Sequence, residues 1–241
     1  VNVNPADSSR VRWIGVADAA AQRKTACQRI LHAAACAIAQ RNSFVIVLAG
    51  GETPRGIYAM LRTADTDWAR WQLYFGDERC LPADNVERNS RMAADAWLDY
   101  VPIAQKQVHT IPAELGASAA ALAYAETLRG VGDFDLVMLG LGEDGHTASL
   151  FPHHDWGLAP GAADVIAVFD APKPPPQRVS LSAARLSRTR EALFFVEGES
   201  KRAAVMQWRA GANIPAGAIH PEAGVDVLVE SRLLSAGRNL S

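Results

Sequence analysis

Residues 43–58 read SFVIVLAGGETPRGIY. The run SFVIVLAG is apolar without alternation, as expected of a strand covered on both faces. The strand is expected to end at Ala49, two glycines follow, and Pro54 stands where a first helical turn can begin. The same grammar returns at FDLVMLGLG (134–142), with further strand candidates at VRWIGV (11–16) and WQLYFGDE (71–78). Helical patterns lie between these runs: one reaching residue 40 from an N-cap at Asp18, then 55–63, 89–100 and 118–129. This alternation predicts right-handed crossovers and a doubly wound, mainly parallel sheet with helices on both faces, a Rossmann-like α/β fold. Beyond residue 150 the pattern loosens through HHDWGLAPGAADV and APKPPPQ (171–177), then resumes with RVSLS (178–182), EALFFVEG (191–198), a helix over 199–209 and GVDVLVE (224–230). Residues 153–177 are read as a surface excursion, its proline run as a stiff connector, and 1–241 as one α/β domain.

Bulk properties narrow the functions. A net charge of −2 provides no global positive field for nucleic acid or an anionic membrane, so any anion must be bound locally. The three cysteines, Cys27, Cys36 and Cys80, are odd in number and show no metal-ligand spacing, which points to a reducing compartment rather than a disulfide framework or zinc. The apolar stretch 26–40 is broken by Arg29 and His32 and falls short of the roughly 20 residues a membrane span needs. VNVNPADSS lacks the pattern of a secretory signal. A cytoplasmic monomer is the expectation.

Four segments carry chemistry. In GGETP, Gly50 and Gly51 let backbone N–H groups turn toward an anion at a helix N-terminus, and Thr53 either caps that helix or donates to a phosphate oxygen. An ordinary strand-to-helix turn reads the same way. Neither a Walker loop nor a dinucleotide fingerprint is present, because no GK[ST] follows and the third glycine is misplaced. In FGDER, Asp77, Glu78 and Arg79 follow an apolar strand and fall at the rim where ligands bind open α/β sheets. Asp77 can orient or deprotonate a hydroxyl, and Arg79 can pair with an anion or a developing oxyanion. In GLGEDGHTASLFP (140–152), a glycine-rich turn exposes Asp144 and His146, and the Thr-Ala-Ser run is expected to start a helix. A carboxylate beside the imidazole fixes its tautomer, as a general base near neutral pH requires. Arg178 and Lys201 come last, as cations that would serve a phosphate if the fold returns them to the glycine turn. No GxSxG elbow offers a nucleophile, Cys80 reads as an inert thiol, and His153 and His154 read as exposed loop residues without a third metal ligand.

Taken in order, GGETP (50–54), GDERCLPAD (76–84) with Asn89 and Arg91 beyond it, GLGEDGHTASLFP, RVSLS and GESK (198–201) resemble the 6-phosphogluconolactonase family. That family shares its fold with glucosamine-6-phosphate deaminases. The resemblance implies hydrolysis of a sugar-phosphate lactone in the oxidative pentose phosphate pathway, without metal or organic cofactor. It further implies that Gly50, Gly51, Thr53, Arg178 and Lys201 hold the 6-phosphate, that Asp77, Arg79 and Asp144 line the sugar site, and that His146 is catalytic. The deaminases usually carry a Glu five residues after the histidine; here that residue is Phe151, which argues against aldose–ketose chemistry on the same fold. Arg88 stands where many lactonases have a small Ser. A non-catalytic sugar-phosphate sensor would be favoured only if His146 or Asp144 were missing.

Overall fold

The computed structural model describes residues 10–235, so the expectation about VNVNPADSS lies outside them. In chain order the elements are β1 (Val11–Val16), α1 (Ala19–Arg41), β2 (Phe44–Leu48), α2 (Glu52–Leu61), β3 (Trp71–Phe75), β4 (Asp77–Arg79), α3 (Asn89–Ala96), β5 (Val108–His109), α4 (Ala117–Thr127), β6 (Phe134–Gly140), β7 (Val165–Val168), β8 (Arg178–Leu181), α5 (Ala183–Ser187), β9 (Thr189–Val196), α6 (Arg202–Arg209) and β10 (Val225–Glu230).

Seven strands form one sheet in the order β1-β10-β9-β6-β2-β3-β5, every pairing parallel. The apolar runs that predicted two-sided cover are buried as expected: Phe44, Ile46, Val47 and Leu48 of β2, and Phe134 through Leu139 of β6. From β2 the chain builds outward through β3 and β5. It then returns to the other side of β2 with β6 and builds the opposite way through β9 and β10. The order therefore reverses between β2 and β6, and a crevice opens beyond the carboxyl ends of those two strands. Both glycine-rich turns leave from there.

α1 starts as the sequence indicates: extended Asp18 accepts a hydrogen bond from the Ala21 N–H at 2.8 Å. Asp18→Ala is expected to cost about 1 kcal/mol, read as a shift in the urea unfolding midpoint at unchanged m. Buried Gln22 on the same helix donates to the Val196 and Leu228 carbonyls at 3.0 and 2.8 Å, tying α1 to β9 and β10.

Three expectations are corrected. The helix placed over 89–100 stops at Ala96, because Trp97 leaves helical geometry (φ −153°, ψ −56°) to stack on Tyr58 and abut Trp68 and Trp71. The segment 153–177 is not all surface excursion: β7 lies within it and pairs with β8. Asp77–Arg79 do not sit in a rim loop after β3. That strand ends at Phe75, and after Gly76 the triplet forms β4, which joins β8 and β7 in a separate antiparallel sheet.

Candidate active site

The crevice encloses about 540 Å³ and is lined from both sheets. Gly50 and Gly51 reach it from the β2–α2 turn, Thr53 from the first turn of α2, Asp77 and Arg79 from β4, His146 from the turn after β6, Arg178 from β8 and Lys201 from just before α6. Asp144 contacts the crevice only through His146. Of the residues that the sequence reading assigned to a site, Asp144 alone does not line the crevice, and it stands behind His146 rather than along the sugar site.

Strand geometry explains the charge arrangement. Successive side chains alternate across a strand, so Asp77 and Arg79 share the face toward the crevice while Glu78 points the other way. Fully buried Glu78 accepts from the Arg79, Asn89 and Ser90 N–H groups at 2.9, 2.7 and 2.9 Å and from Ser90 Oγ at 2.7 Å, capping α3 from outside the helix. Arg88 takes up the remaining charge: its guanidinium lies 3.4 Å from Glu78 and donates to Glu114 at 2.7 Å and to the Ile111 carbonyl at 2.6 Å. The residue that departs from the lactonase pattern is therefore a buried tie between β4 and the 111–114 segment. On the crevice side, Asp77 accepts from Asn89 Nδ2 at 3.0 Å and from Ser149 Oγ at 2.6 Å. With both oxygens already accepting hydrogen bonds, the Asp77 carboxylate is fixed in place at the crevice wall. Asn89 packs so closely on Gly50 that a Cβ there would lie 1.9 Å from Asn89 Oδ1.

Arg79 and Arg178 are register partners across β4 and β8. Like charges directly opposite one another oppose folding, so the pairing concentrates positive charge at the crevice at a cost to stability. Burial pushes the Arg178 guanidinium below its ordinary pKa; Asp77 and Glu78 oppose that shift and Arg79 adds to it. Arg79 Nε is buried without a hydrogen-bond partner. Burial likewise lowers the Lys201 ammonium, with Glu143 and Asp144 opposing and Lys173 reinforcing the shift.

His146 Nδ1 lies 2.5 Å from Asp144 Oδ1, and the His146 N–H donates to the same oxygen at 3.1 Å. Burial would raise the Asp144 carboxyl, but these hydrogen bonds and the facing imidazole hold it below the usual carboxylate range. A carboxylate can only accept, so Nδ1 carries a proton and Nε2 is left as the basic nitrogen. The turn needs Gly142 for room, since a Cβ there would meet His146 Nδ1 at 2.0 Å. Phe151 is buried beside the imidazole, ring centroids 4.9 Å apart.

Two local expectations fail. Thr53 does not cap α2: Gly51 holds the N-cap position, and the Thr53 hydroxyl donates to Glu197 at 2.6 Å. The Thr-Ala-Ser run starts no helix. Ala148 has φ +49°, Leu150 N bonds back to the Thr147 carbonyl at 2.9 Å, and Ser149 is committed to Asp77. Sequence reasoning also missed Lys173 and Glu197, which line the crevice. Lys173 lies in the proline run taken as a mere connector, and its carbonyl accepts from Arg178 at 3.0 Å. Of the two loop histidines, His153 is exposed while His154 is partly buried, 3.7 Å from Asp170.

The family model described as glucosamine-6-phosphate isomerases/6-phosphogluconolactonase matches residues 17–228. A 6-phosphogluconolactonase of Streptomyces coelicolor is 38% identical over 207 residues, covering 78% of this chain and 79% of that protein. The human 6-phosphogluconolactonase is 37% identical over 212 residues, 82% of each chain. The crystal structure of 6-phosphogluconolactonase from Thermotoga maritima superposes with a TM-score of 0.84 at 24% identity, covering 91% of this chain and 99% of that one, and so shares the fold. This chain belongs to the glucosamine-6-phosphate isomerase/6-phosphogluconolactonase family.

Proposed function

We propose that the chain hydrolyses 6-phospho-D-glucono-1,5-lactone to 6-phospho-D-gluconate, the lactone-opening step of the oxidative pentose phosphate pathway. The observation that carries this reading is the Asp144-oriented His146 at a crevice also lined by Arg79, Arg178 and Lys201, with Phe151 where a deaminase would place a carboxylate.

The phosphate is held by Lys201, Arg178 and the N–H groups of the Gly50–Gly51 turn, so a group remote from the reacting carbon supplies binding energy for orientation. His146 Nε2 takes a proton from water as the water oxygen bonds to the lactone carbonyl carbon. Negative charge develops on the former carbonyl oxygen, where Arg79 stabilises it, because the Gly142, Gly145 and His146 N–H groups of the turn are already bonded to the His146 carbonyl, the Gly142 carbonyl and Asp144. Collapse of the tetrahedral species breaks the bond to the ring oxygen, which receives the proton from the imidazolium. Asp144 keeps the ring in its tautomer throughout. Asp77, pinned by Asn89 and Ser149, orients a sugar hydroxyl. No covalent enzyme intermediate is needed.

On this reading the enzyme acts as a cytoplasmic monomer. The three cysteines are free, in keeping with a reducing compartment.

The test is proton release from freshly generated lactone, corrected for spontaneous opening, run beside ammonia release from glucosamine 6-phosphate. Fast lactone opening without ammonia is expected. Ammonia release would move the chain to the deaminase branch, and absence of both would leave the sensor reading.

A further inference from the structure

A carboxylate stands where a phosphate-binding crevice would be expected to exclude one. Glu197 follows β9 and lines the crevice together with Gly50, Gly51 and Lys201. One of its oxygens accepts the Thr53 hydroxyl proton at 2.6 Å; the other is buried without a hydrogen-bond partner. The counter-charge comes from Arg23 of α1, whose terminal nitrogen is 3.6 Å from Glu197. To reach it, Arg23 lies across α2 at Gly56, where a Cβ would meet Arg23 Nε at 2.7 Å and Cδ at 2.8 Å. An interior helical glycine is disfavoured, so the bare position at 56 finds its reason in the arginine that crosses it. Arg23 balances Glu197 only in part, because its side chain is 36% exposed and the separation exceeds hydrogen-bond length.

A hydroxyl has one proton. While Thr53 gives it to Glu197, that proton is not available to a phosphate oxygen, and the carboxylate adds repulsion to any dianion held at the glycine turn.

We infer that Glu197 sets the affinity of this crevice for phosphate monoesters, acting as a built-in opposing charge that keeps substrate and product binding weak. The inference rests on the sugar-phosphate reading of the site. It treats Thr53, Glu197 and Arg23 as one electrostatic unit: removing the carboxylate tightens phosphate binding, and removing the guanidinium loosens it. A purely structural role for the Thr53–Glu197 hydrogen bond gives no such pair of opposite effects, because a Gln side chain preserves the bond.

The experiment is Glu197→Gln and Arg23→Gln beside the wild type. KM and kcat are measured for the phosphorylated lactone, and Kd for 6-phosphogluconate by titration calorimetry, at low and high salt. Glu197→Gln is expected to lower KM and Kd by about 3–10-fold, a difference that narrows as salt screens the charges. Arg23→Gln is expected to raise both severalfold, with the effect falling on KM rather than kcat. If wild type opens the lactone while Glu197→Gln leaves KM and Kd unchanged or raised, the inference is wrong and the functional reading stands. A wild type that binds no 6-phosphogluconate overturns the phosphate subsite and the inference with it.

Discussion

His146→Ala lowers kcat by about 10³-fold, within the range that a positioned acid/base contributes, while KM shifts by less than about threefold. The expectation follows from how the side chain is held. Its Nδ1 is bound to Asp144 at 2.5 Å, and Gly142 leaves the space that the ring occupies. The imidazole is thus fixed against the turn and contributes little surface to binding. Removing it deletes the group that takes the water proton and returns it to the ring oxygen, but leaves the cations of the crevice in place. Steady-state lactone hydrolysis checks this; a variant with the wild-type kcat would take His146 out of the mechanism.

Lys201→Ala is expected to raise KM by about 10–100-fold at nearly constant kcat, the usual value of a charge-assisted hydrogen bond to a bound anion. Burial already lowers the Lys201 ammonium, so this cation is partly desolvated before a ligand arrives and gains from a phosphate partner. Arg178→Ala should raise KM as well, but with a fall in Tm. Its guanidinium also donates to the carbonyls of Lys173, Pro174 and Pro175, at 3.0, 3.3 and 3.2 Å. Comparing the two variants by thermal melts and kinetics separates a cation that only binds ligand from one that also holds the proline loop. If Lys201→Ala lowered kcat and left KM alone, its place at the phosphate end would be wrong.

The parts of the fold legible in the sequence were those written as uninterrupted apolar runs. β2 and β6 are buried along their length, and the turns that leave them carry the glycines that bring Gly50 and His146 to one crevice. The antiparallel sheet was not legible. β4 is three residues long and wholly charged, and β7 is four residues inside a segment rich in glycine and proline. β4 has no hydrophobic period to read, the short apolar run of β7 is set among glycines and prolines, and both pair with β8, which lies between them. The site residues could be named from short motifs, yet their partners could not. That Thr53 serves Glu197 and that Ser149 serves Asp77 depend on contacts between positions far apart in the chain, and that Arg88 neutralises Glu78 depends on how the loop between them folds back.

Anchoring of the lactone by its remote phosphate against a carboxylate-oriented histidine is measured by kcat/KM of the wild-type chain for 6-phosphoglucono-1,5-lactone and for unphosphorylated glucono-1,5-lactone in the same proton-release assay. If Lys201, Arg178 and the glycine turn hold the phosphate, the phosphorylated lactone is preferred by at least about 10³-fold, the equivalent of two or three charge-assisted hydrogen bonds. Equal kcat/KM values for the two lactones would mean that the phosphate does not anchor the substrate.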